Sequence, residues 1–357
     1  MSLILVLNPG STSTKIAVYK GEKSLFSRSI RHEEESSKIP CIIDQLEFRL
    51  RLVKETLAEA KIKLTECAAI IARGGLLHPV EGGVFKVNQA MIDDLTTCRY
   101  GEHASNLGAL MAAELATSKS MPVYIADPVV VDEMIAEAKI SGWPEFPRIA
   151  ISHPLNQRAV GKRYARNQGQ RYEDLNLIIA HMGGGTSVGA HRKGRIIDVN
   201  NGLDGDGPFS AERTGSLPLR SVLDFCYSGK HSREEAQRLF IGQGGLYAYL
   251  GTKDGIEIEE RLEAGDEKAE SLIRAMAYQT AKEIGSLGAV LYGEVDAILL
   301  TGGLAYMKAL TELISERVSH LAPVYVFPGE DEMGALALAA DEVLSGKAVA
   351  KEYTKEN

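Results

Sequence analysis

Two stretches of the chain share one pattern of apolar and polar positions. Residues 3–7 are continuously apolar, a polar turn follows, and an apolar-rich stretch continues through 15–20. The pattern returns at 177–198, where an apolar run leads through a glycine-rich turn into two further apolar segments. Short apolar runs bounded by turn residues favour buried strands. Each stretch is therefore predicted to form a β-meander, the first from strands 2–8, 15–20 and 24–31.

The recurrence predicts an internal duplication, with one meander opening each half of the 357-residue chain. The acidic run at 32–35 is predicted to be a solvated turn. The remaining apolar periodicity alternates between strand and helix, which indicates an α/β protein of two similar domains. Further strands are predicted at 68–72, 122–126, 296–300 and 323–327, and helices at about 38–61, 89–97, 104–119, 154–168, 266–292, 305–319 and 331–345.

A cluster of prolines places the predicted domain boundary near 145–155. The first domain is expected to span 1–150 and to carry the first glycine turn. The second is expected to span 151–332 and to carry the second turn together with a turn for adenosine. A closing helix at about 333–350 could pack back on the first domain.

Composition narrows the classes of function. A net charge of −8 and a pI near 5.6, without a basic tract, argue against a nucleic-acid partner. Four cysteines lie without CxxC spacing, as expected for free thiols in a reducing compartment. No apolar run approaches the roughly 20 residues of a membrane span. We therefore expect a cytoplasmic protein without a membrane partner.

Both glycine turns have the composition of a phosphate-binding site. In the first, Gly10 is expected to adopt a backbone conformation that side chains disfavour, and Lys15 adds a positive charge. Backbone amides and hydroxyl groups in such a turn suit phosphate oxygens. Because a strand follows each turn instead of a helix, Walker A and dinucleotide motifs are set aside. An ordinary hairpin with a polar turn remains the alternative. The residues concerned are Asn8, Gly10, Ser11, Ser13 and Lys15 in the first turn and Gly183, Gly184, Gly185 and Thr186 in the second.

Other polar residues collect at the ends of predicted strands, where open α/β sheets bind ligands. A histidine at a strand end could equally be a structural hydrogen-bond donor, and Asp127 before Pro128 could simply start a turn. The glycine-rich stretch 200–216 has the length and polarity of a functional loop. The turn at Gly302 and Gly303 could hold adenosine or only connect a strand to a helix. The strand-end candidates are Asn8, Arg73, Asp127, His153, His181 and Asp198.

These motifs together resemble the acetokinase family of the actin-like ATPase superfamily. The resemblance rests on Asn8-Pro-Gly-Ser-Thr-Ser-Thr-Lys15 and His181-Met-Gly-Gly-Gly185, and it covers essentially the whole chain. The forms Ser152-His-Pro154 and Pro328-Gly-Glu-Asp-Glu-Met333 are most similar to the butyrate kinase branch. The resemblance implies two similar actin-like, ribonuclease H-like domains flanking a nucleotide cleft.

The activity that the resemblance implies is reversible phosphoryl transfer from ATP to a short carboxylate. The expected reaction is butyrate + ATP = butyryl phosphate + ADP, by direct in-line transfer with Mg²⁺. Its partners would be a small carboxylate and an acyl phosphate, in a homo-oligomer that is a dimer or larger. Acetate, propionate or a branched acid such as isobutyrate remains open as the substrate. A non-kinase ATPase of the superfamily is the more distant alternative.

The resemblance also assigns roles to individual residues. Arg213 and His153 would act on the transferring phosphoryl group, and His181 would bind nucleotide phosphate. Glu332 and Asn8 would hold the metal ion, with Glu330 and Asp331 as alternatives. The chain departs from acetate kinases at two positions: Arg73 lies three positions beyond the family's substrate arginine, and Gln157 replaces a second histidine. The catalytic set is thus Arg213, His153, Asp127 and Arg73, and the nucleotide set is Asn8, Gly10, Ser11, Ser13, Lys15, His181, Gly183, Gly184, Gly185, Thr186, Gly302 and Gly303.

Overall fold

A computed structural model describes residues 2–116 and 121–355. Its strands follow the chain as β1 (Leu3–Pro9), β2 (Ser13–Lys20), β3 (Lys23–Arg31), β4 (Cys67–Arg73), β5 (Val84–Lys86), β6 (Val123–Ala126), β7 (Asn176–Met182), β8 (Thr186–Arg192), β9 (Arg195–Val199), β10 (Ala297–Gly302), β11 (Val324–Pro328) and β12 (Lys351–Glu352).

Helices connect most of these strands. They are α1 (Glu33–Ser37), α2 (Leu46–Glu59), α3 (Gln89–Thr96), α4 (Asn106–Leu115), α5 (Ala136–Lys139), α6 (Pro154–Asn167), α7 (Leu219–Cys226), α8 (Arg233–Ile241), α9 (Gly245–Leu250), α10 (Gly255–Glu263), α11 (Glu267–Val290), α12 (Lys308–Val318) and α13 (Glu332–Leu344). Short 3₁₀ helices lie at Ile43–Gln45, Leu64–Glu66, Tyr172–Asp174 and Gly303–Tyr306.

The chain divides into two compact units. Unit 1 comprises Met1–Val131 and Asp331–Asn357, and unit 2 comprises Asp132–Glu330. The division lies at Val131, whereas the sequence suggested 145–155, so the proline cluster falls inside unit 2. The closing helix α13 packs on β1 and β4 of unit 1.

Unit 1 is built on a seven-stranded sheet in the order β12-β5-β6-β4-β1-β2-β3. The β1–β3 meander is antiparallel, whereas β1, β4 and β6 run parallel. The buried side chains of these parallel strands pack with α2, α3 and α4 in one apolar core. The parallel arrangement places the carboxyl ends of β1, β4 and β6, and hence Asn8, Arg73 and Asp127, at one edge of the sheet.

Unit 2 repeats this plan with five strands in the order β11-β10-β7-β8-β9. Its meander β7–β9 is antiparallel, and β7, β10 and β11 are parallel. The order corresponds strand for strand to β6-β4-β1-β2-β3 of unit 1. The predicted duplication and the α/β fold class are therefore confirmed.

Several element predictions need correction. The acidic run predicted as a turn forms α1, because three glutamates in a first turn favour a helix N-terminus and His32 bonds to Ser36 Oγ at 2.7 Å. The helix predicted over 38–61 begins only at Leu46, after a 3₁₀ turn. The helix predicted over 104–119 is seen over Asn106–Leu115, and its last positions, 117–119, lie outside the described residues. Helices α7–α10 and strands β5 and β12 had no sequence prediction.

Candidate active site

The first glycine turn joins β1 to β2 in unit 1. It is closed by a hydrogen bond from Gly10 N to Ser13 O at 2.7 Å, and Ser11 is exposed. Gly10 does not adopt a left-handed conformation, so that part of the sequence prediction is wrong. An added Cβ there would lie 3.3 Å from Ser13 O, a tight but not prohibitive approach. Lys15, in β2, is exposed.

A buried arginine orients this turn. The side chain of Arg49 in α2 is fully buried and donates to Gly10 O at 2.7 Å and to Ser11 O at 3.3 Å. In a planar trans peptide the carbonyl and the following N–H point in opposite directions. Arg49 therefore holds two carbonyls inward and turns the amides of Ser11 and Thr12 outward. Burial lowers the pKa of Arg49 to about 10, so the group remains a cation at neutral pH.

Three predicted residues meet at the carboxyl edge of the unit 1 sheet. Asn8 Nδ2 donates to Glu332 Oε2 at 2.6 Å, and Arg73 Nη1 lies 3.2 Å from Glu332 Oε1. The Glu332 side chain is only 11% exposed, so this carboxylate is largely shielded from solvent. The arrangement joins an amide, a guanidinium and a carboxylate that were predicted from three distant segments.

The neighbouring acidic residues have other contacts. Asp331 caps α13 by accepting from Gly334 N at 2.9 Å. Glu330, in unit 2, contacts His181 Nε2 at 3.0 Å. Of the three metal-ligand candidates, Glu332 is the one that the structure places beside Asn8.

Asp127 follows β6 with a left-handed φ of 38°, which is uncommon for a residue with a side chain. Its carboxylate accepts from Gly83 N at 2.7 Å, and its own N–H donates to Gly83 O at 3.0 Å. These contacts show that Asp127 shapes a turn. Strained backbone is also common at functional sites, so the observed geometry is compatible with both roles considered from the sequence.

The second glycine turn joins β7 to β8 in unit 2. Gly183 N donates to Gly185 O at 2.9 Å, and Ser210 Oγ donates to Gly184 O. The loop that follows β9 thus closes around the turn. An added Cβ on Gly185 would lie 2.0 Å from Arg213 Nη1, so the guanidinium rests directly against this glycine.

Arg213 has unused hydrogen-bonding capacity. Its Nη1 donates to Gly202 O, while its buried Nε has no hydrogen-bond partner among the described residues. Burial also lowers the pKa of this arginine. The neighbouring turn residue Thr186 likewise has a buried Oγ1 that no described residue pairs. Unpaired donors in a buried site are costly, and a phosphate group would satisfy these two only after the groups that cover them move aside.

His153 and His181 lie together beside this turn. Their rings stack with centroids 3.8 Å apart and an interplanar angle of 11°. His153 Nδ1 contacts Ser187 Oγ at 2.9 Å, and His181 Nδ1 contacts Asn156 Oδ1 at 2.8 Å. Because Glu330 Oε1 faces the other nitrogen of His181, a phosphate bound by His181 would have to displace that carboxylate.

A cavity of about 670 Å³ opens next to the second turn. It lies at the carboxyl ends of the parallel strands β7 and β10, and Gly183, Gly184 and Gly303 contribute to its wall. Gly302 has a φ of 92°, and its Cα packs so closely on Met182 that a Cβ would meet Met182 O at 2.3 Å. This cavity has the size and position expected for a small-molecule ligand.

Sequence reasoning missed two charged residues. Arg49 was not recognised, although it lies at helical spacing from Leu46 and Val53 on the apolar face of α2, a position that calls for explanation. Lys253 pairs with Glu212 at the cavity wall. It lies in the region without an element prediction, and no sequence signal marked it.

Within residues 2–116 and 121–355, no helix has the length and apolar character needed to cross a membrane. The same part of the chain holds no group of three or more histidine, cysteine, aspartate or glutamate side chains arranged for a metal ion.

Comparison with known proteins agrees with this geometry. Residues 152–324 match the model of the acetokinase family. The fold is similar to acetate kinase from Porphyromonas gingivalis, with 18% identity, a TM-score of 0.76 and coverage of 96% of this chain and 100% of that one. A propionate kinase from Francisella tularensis subsp. tularensis SCHU S4 gives 20% identity, a TM-score of 0.76 and coverage of 95% and 99%.

A more distant match is a ROK family protein from Streptococcus pneumoniae TIGR4 in complex with sucrose. It has 13% identity, a TM-score of 0.52 and coverage of 97% of this chain and 100% of that one. The chain thus has the fold of acetate and propionate kinases, and its segment 152–324 matches the acetokinase family.

Proposed function

We propose that the protein is an ATP-dependent carboxylate kinase of the acetokinase family, with butyrate as its preferred acid. The observation that carries the proposal is in unit 2. Arg213, whose Nε has no partner among the described residues, and two stacked histidines lie against the second glycine turn, and Gly183 and Gly184 of that turn line a cavity of about 670 Å³. The family match covers these same residues.

The nucleotide is assigned to this cavity. The apolar side chains of Leu304 and Met307 suit the faces of an adenine ring, and the turn at Gly183 and Gly184 suits the phosphates. Arg213 Nε and Thr186 Oγ1, which lack partners within residues 2–116 and 121–355, favour a polyanionic ligand beside the turn. Among the predicted residues, Gly302 would then be a structural connection that brings the end of β10 against β7.

The chemistry requires charge stabilisation more than proton transfer. A carboxylate is ionised at neutral pH, so its oxygen attacks the γ-phosphorus without a general base. A carboxylate oxygen–phosphorus bond forms, the bond from phosphorus to the β,γ-bridging oxygen breaks, and ADP leaves. Arg213 and His153 are assigned to the equatorial oxygens of the transferring group, where fixed donors act most strongly.

Unit 1 is assigned to the acid and the metal ion. Arg73 supplies a guanidinium for the substrate carboxylate. The Glu332 carboxylate is assigned to Mg²⁺, which is commonly held by one or two carboxylates together with substrate phosphates. Asn8 Nδ2 and Arg73 Nη1 contact its oxygens, so the Asn8 amide would have to turn its oxygen towards the ion and Arg73 would have to release the carboxylate. Bound there, Mg²⁺ would neutralise charge on the nucleotide phosphates. The outward amides of the first turn are assigned to phosphate oxygens.

The preference for butyrate rests on the sequence motifs. Two further methylenes beyond acetate, at about 0.8 kcal/mol each, correspond to about a 15-fold gain in kcat/KM if both are buried. The solved structures are named as acetate and propionate kinases, so the experiment must determine the length of the acid that this protein prefers.

Hydroxylamine trapping of acyl phosphate tests both levels of the proposal. The acids compared should be formate, acetate, propionate, butyrate, isobutyrate and valerate, each with ATP and Mg²⁺. We expect trapped product with a maximum at butyrate. A maximum at acetate or propionate would refute the butyrate preference alone, and no product with any acid would refute the kinase.

A further inference from the structure

A chain of polar side chains runs through the interior of unit 2 to His153. Tyr172 Oη contacts His191 Nδ1 at 2.6 Å, and His191 Nε2 contacts Gln157 Oε1 at 2.9 Å. Gln157 Nε2 then donates to Ser187 Oγ at 2.9 Å, and Ser187 Oγ contacts His153 Nδ1 at 2.9 Å. Gln157, Ser187 and His191 are each fully buried.

The orientation of the Gln157 amide is fixed by a group that only accepts hydrogen bonds. Gln157 Nε2 also lies 3.1 Å from the backbone carbonyl of Ser187. A flipped amide would place two oxygens against each other there, so the nitrogen must face Ser187. Its two protons are then used by Ser187 O and Ser187 Oγ, and Oε1 must face His191.

This orientation determines the proton position on His191. Oε1 of Gln157 needs a donor, so His191 Nε2 carries a hydrogen. Burial, together with the charge of Arg158, lowers the pKa of His191 to about 3, so the ring is neutral and has a single N–H. Its Nδ1 is therefore an acceptor for the hydroxyl of Tyr172.

The same logic determines the proton position on His153. Ser187 Oγ accepts from Gln157, and among the contacts of this buried hydroxyl with described residues only His153 Nδ1 can accept its one hydrogen. An accepting Nδ1 leaves the ring hydrogen of His153 on Nε2. Every bond in the chain thus has the same direction, from Tyr172 towards His153.

We propose that Gln157, Ser187 and His191 are positioning residues that hold His153 as the neutral tautomer with its hydrogen on Nε2. His153 then acts as a hydrogen-bond donor of fixed direction. Gly189 leaves space for the Gln157 side chain, because a Cβ at position 189 would lie 2.6 Å from Gln157 Oε1. The assignment of the transferring phosphoryl group as the acceptor rests on the proposed function, whereas the tautomer rests on the hydrogen bonds alone.

Gln157→Glu would reverse the direction of the hydrogen bonds at the centre of this series, with almost no change in the size of the side chain. A carboxylate accepts from Ser187 Oγ and cannot donate to it, and its oxygen must move away from the Ser187 carbonyl that Gln157 Nε2 contacts. Ser187 would then turn its hydroxyl towards residue 157, and its Oγ would accept a hydrogen from His153 Nδ1. Gln170→Glu, the same change at an exposed position of unit 2, is the matched control.

Two-bond ¹H–¹⁵N correlation spectra of the full-length protein at pH 7.5 read the tautomer directly, with His153→Gln assigning the resonance. We expect a protonated Nε2 and a bare Nδ1 in wild type and in Gln170→Glu, and a protonated Nδ1 in Gln157→Glu. A protonated Nδ1 in wild type, or an unchanged tautomer in Gln157→Glu, would overturn the proposal. If Gln157→Glu does not fold, the wild-type spectrum still tests whether the ring hydrogen of His153 is on Nε2.

Kinetics separate this proposal from the proposed function. Loss of one fixed donor to the transition state lowers kcat by about 10²-fold. We expect that loss in Gln157→Glu, with little change in the KM for ATP and wild-type rates in Gln170→Glu. A wild-type kcat in a variant whose tautomer has changed would overturn the positioning role. Absence of acyl phosphate from wild type, with the expected spectrum, would contradict only the proposed function.

Discussion

The two glycine turns join equivalent strands of the two units, but the arginine that contacts each turn is bonded differently. Behind the first turn, Arg49 is fully buried and uses its donors on backbone carbonyls and Gln45. Beside the second turn, Arg213 rests against Gly185, and its Nε has no partner in the part of the chain that the structure describes. The first arginine shapes a loop, and the second retains capacity for a ligand. An arginine next to a phosphate-type turn is therefore not by itself a catalytic residue.

Removing the second arginine should give the largest effect. Arginines that stabilise a transferring phosphoryl group contribute about 10³–10⁵-fold to the rate. Arg213→Ala should therefore lower kcat by that order in the hydroxamate assay, with a smaller change in the KM for ATP. Arg220→Ala, at an exposed position of the same unit, is the control. A rate within about tenfold of wild type would remove Arg213 from the catalytic set.

Adding one methyl group to each turn should separate them further. In Gly185→Ala the new Cβ would meet Arg213 Nη1 at 2.0 Å and Gly202 O at 2.7 Å, so the guanidinium must move. In Gly10→Ala the nearest atom is Ser13 O at 3.3 Å, which a small shift relieves. We expect kcat to fall by about 10²-fold in the first variant and far less in the second. Equal losses in both variants would contradict the difference between the turns.

Removing the first arginine should act on stability. Arg49→Met leaves the carbonyls of Gly10 and Ser11 without their donor, at a cost of about 3 kcal/mol in the free energy of unfolding. Urea denaturation measures this change. Arg51→Met, on the exposed face of the same helix, should lie within about 0.5 kcal/mol of wild type. If the two variants have equal stability, Arg49 does not support the turn.

The smallest expected effect concerns pH. His191 lies behind the second turn with its pKa lowered to about 3, so the unfolded chain binds a proton below pH 6.5 that the folded chain does not. Stability should therefore fall as the pH is lowered, by about 2 kcal/mol between pH 6.5 and pH 5. His32, next to Thr14 of the first turn, also has a pKa lowered by burial and by the charge of Arg49, and the charge of Glu35 opposes that shift.

Denaturation curves at both pH values compare the two histidines. His191→Gln should remove most of the acid sensitivity, and His32→Gln should remove less. The reverse order would place the acid-sensitive group beside the first turn.

The sequence predicted the features that local pattern controls. Apolar runs interrupted by glycine and hydroxyl residues were sufficient for both meanders and for the duplication. The convergence of Asn8 and Arg73 followed from the rule that parallel strands end at one edge. The proximity of Glu332 to Asn8, by contrast, was expected only from the family resemblance.

Features set by tertiary contacts were less accessible. Arg49 looked like one more polar residue of a helix, because its burial depends on carbonyls from a distant turn. The proton positions on His153 depend on Ser187 and His191, which no local pattern connects. The ordinary backbone of Gly10 shows that a glycine in a turn motif does not establish a left-handed conformation.

The central claim, transfer of a phosphoryl group to a carboxylate, is tested most directly by ³¹P NMR of the wild-type protein with ATP, Mg²⁺ and butyrate. We expect an acyl phosphate signal that grows in equal amount with ADP, and ATP formation when butyryl phosphate and ADP are supplied instead. Release of ADP with inorganic phosphate, unaffected by butyrate or any other short acid, would contradict the claim and identify a hydrolase of the same fold.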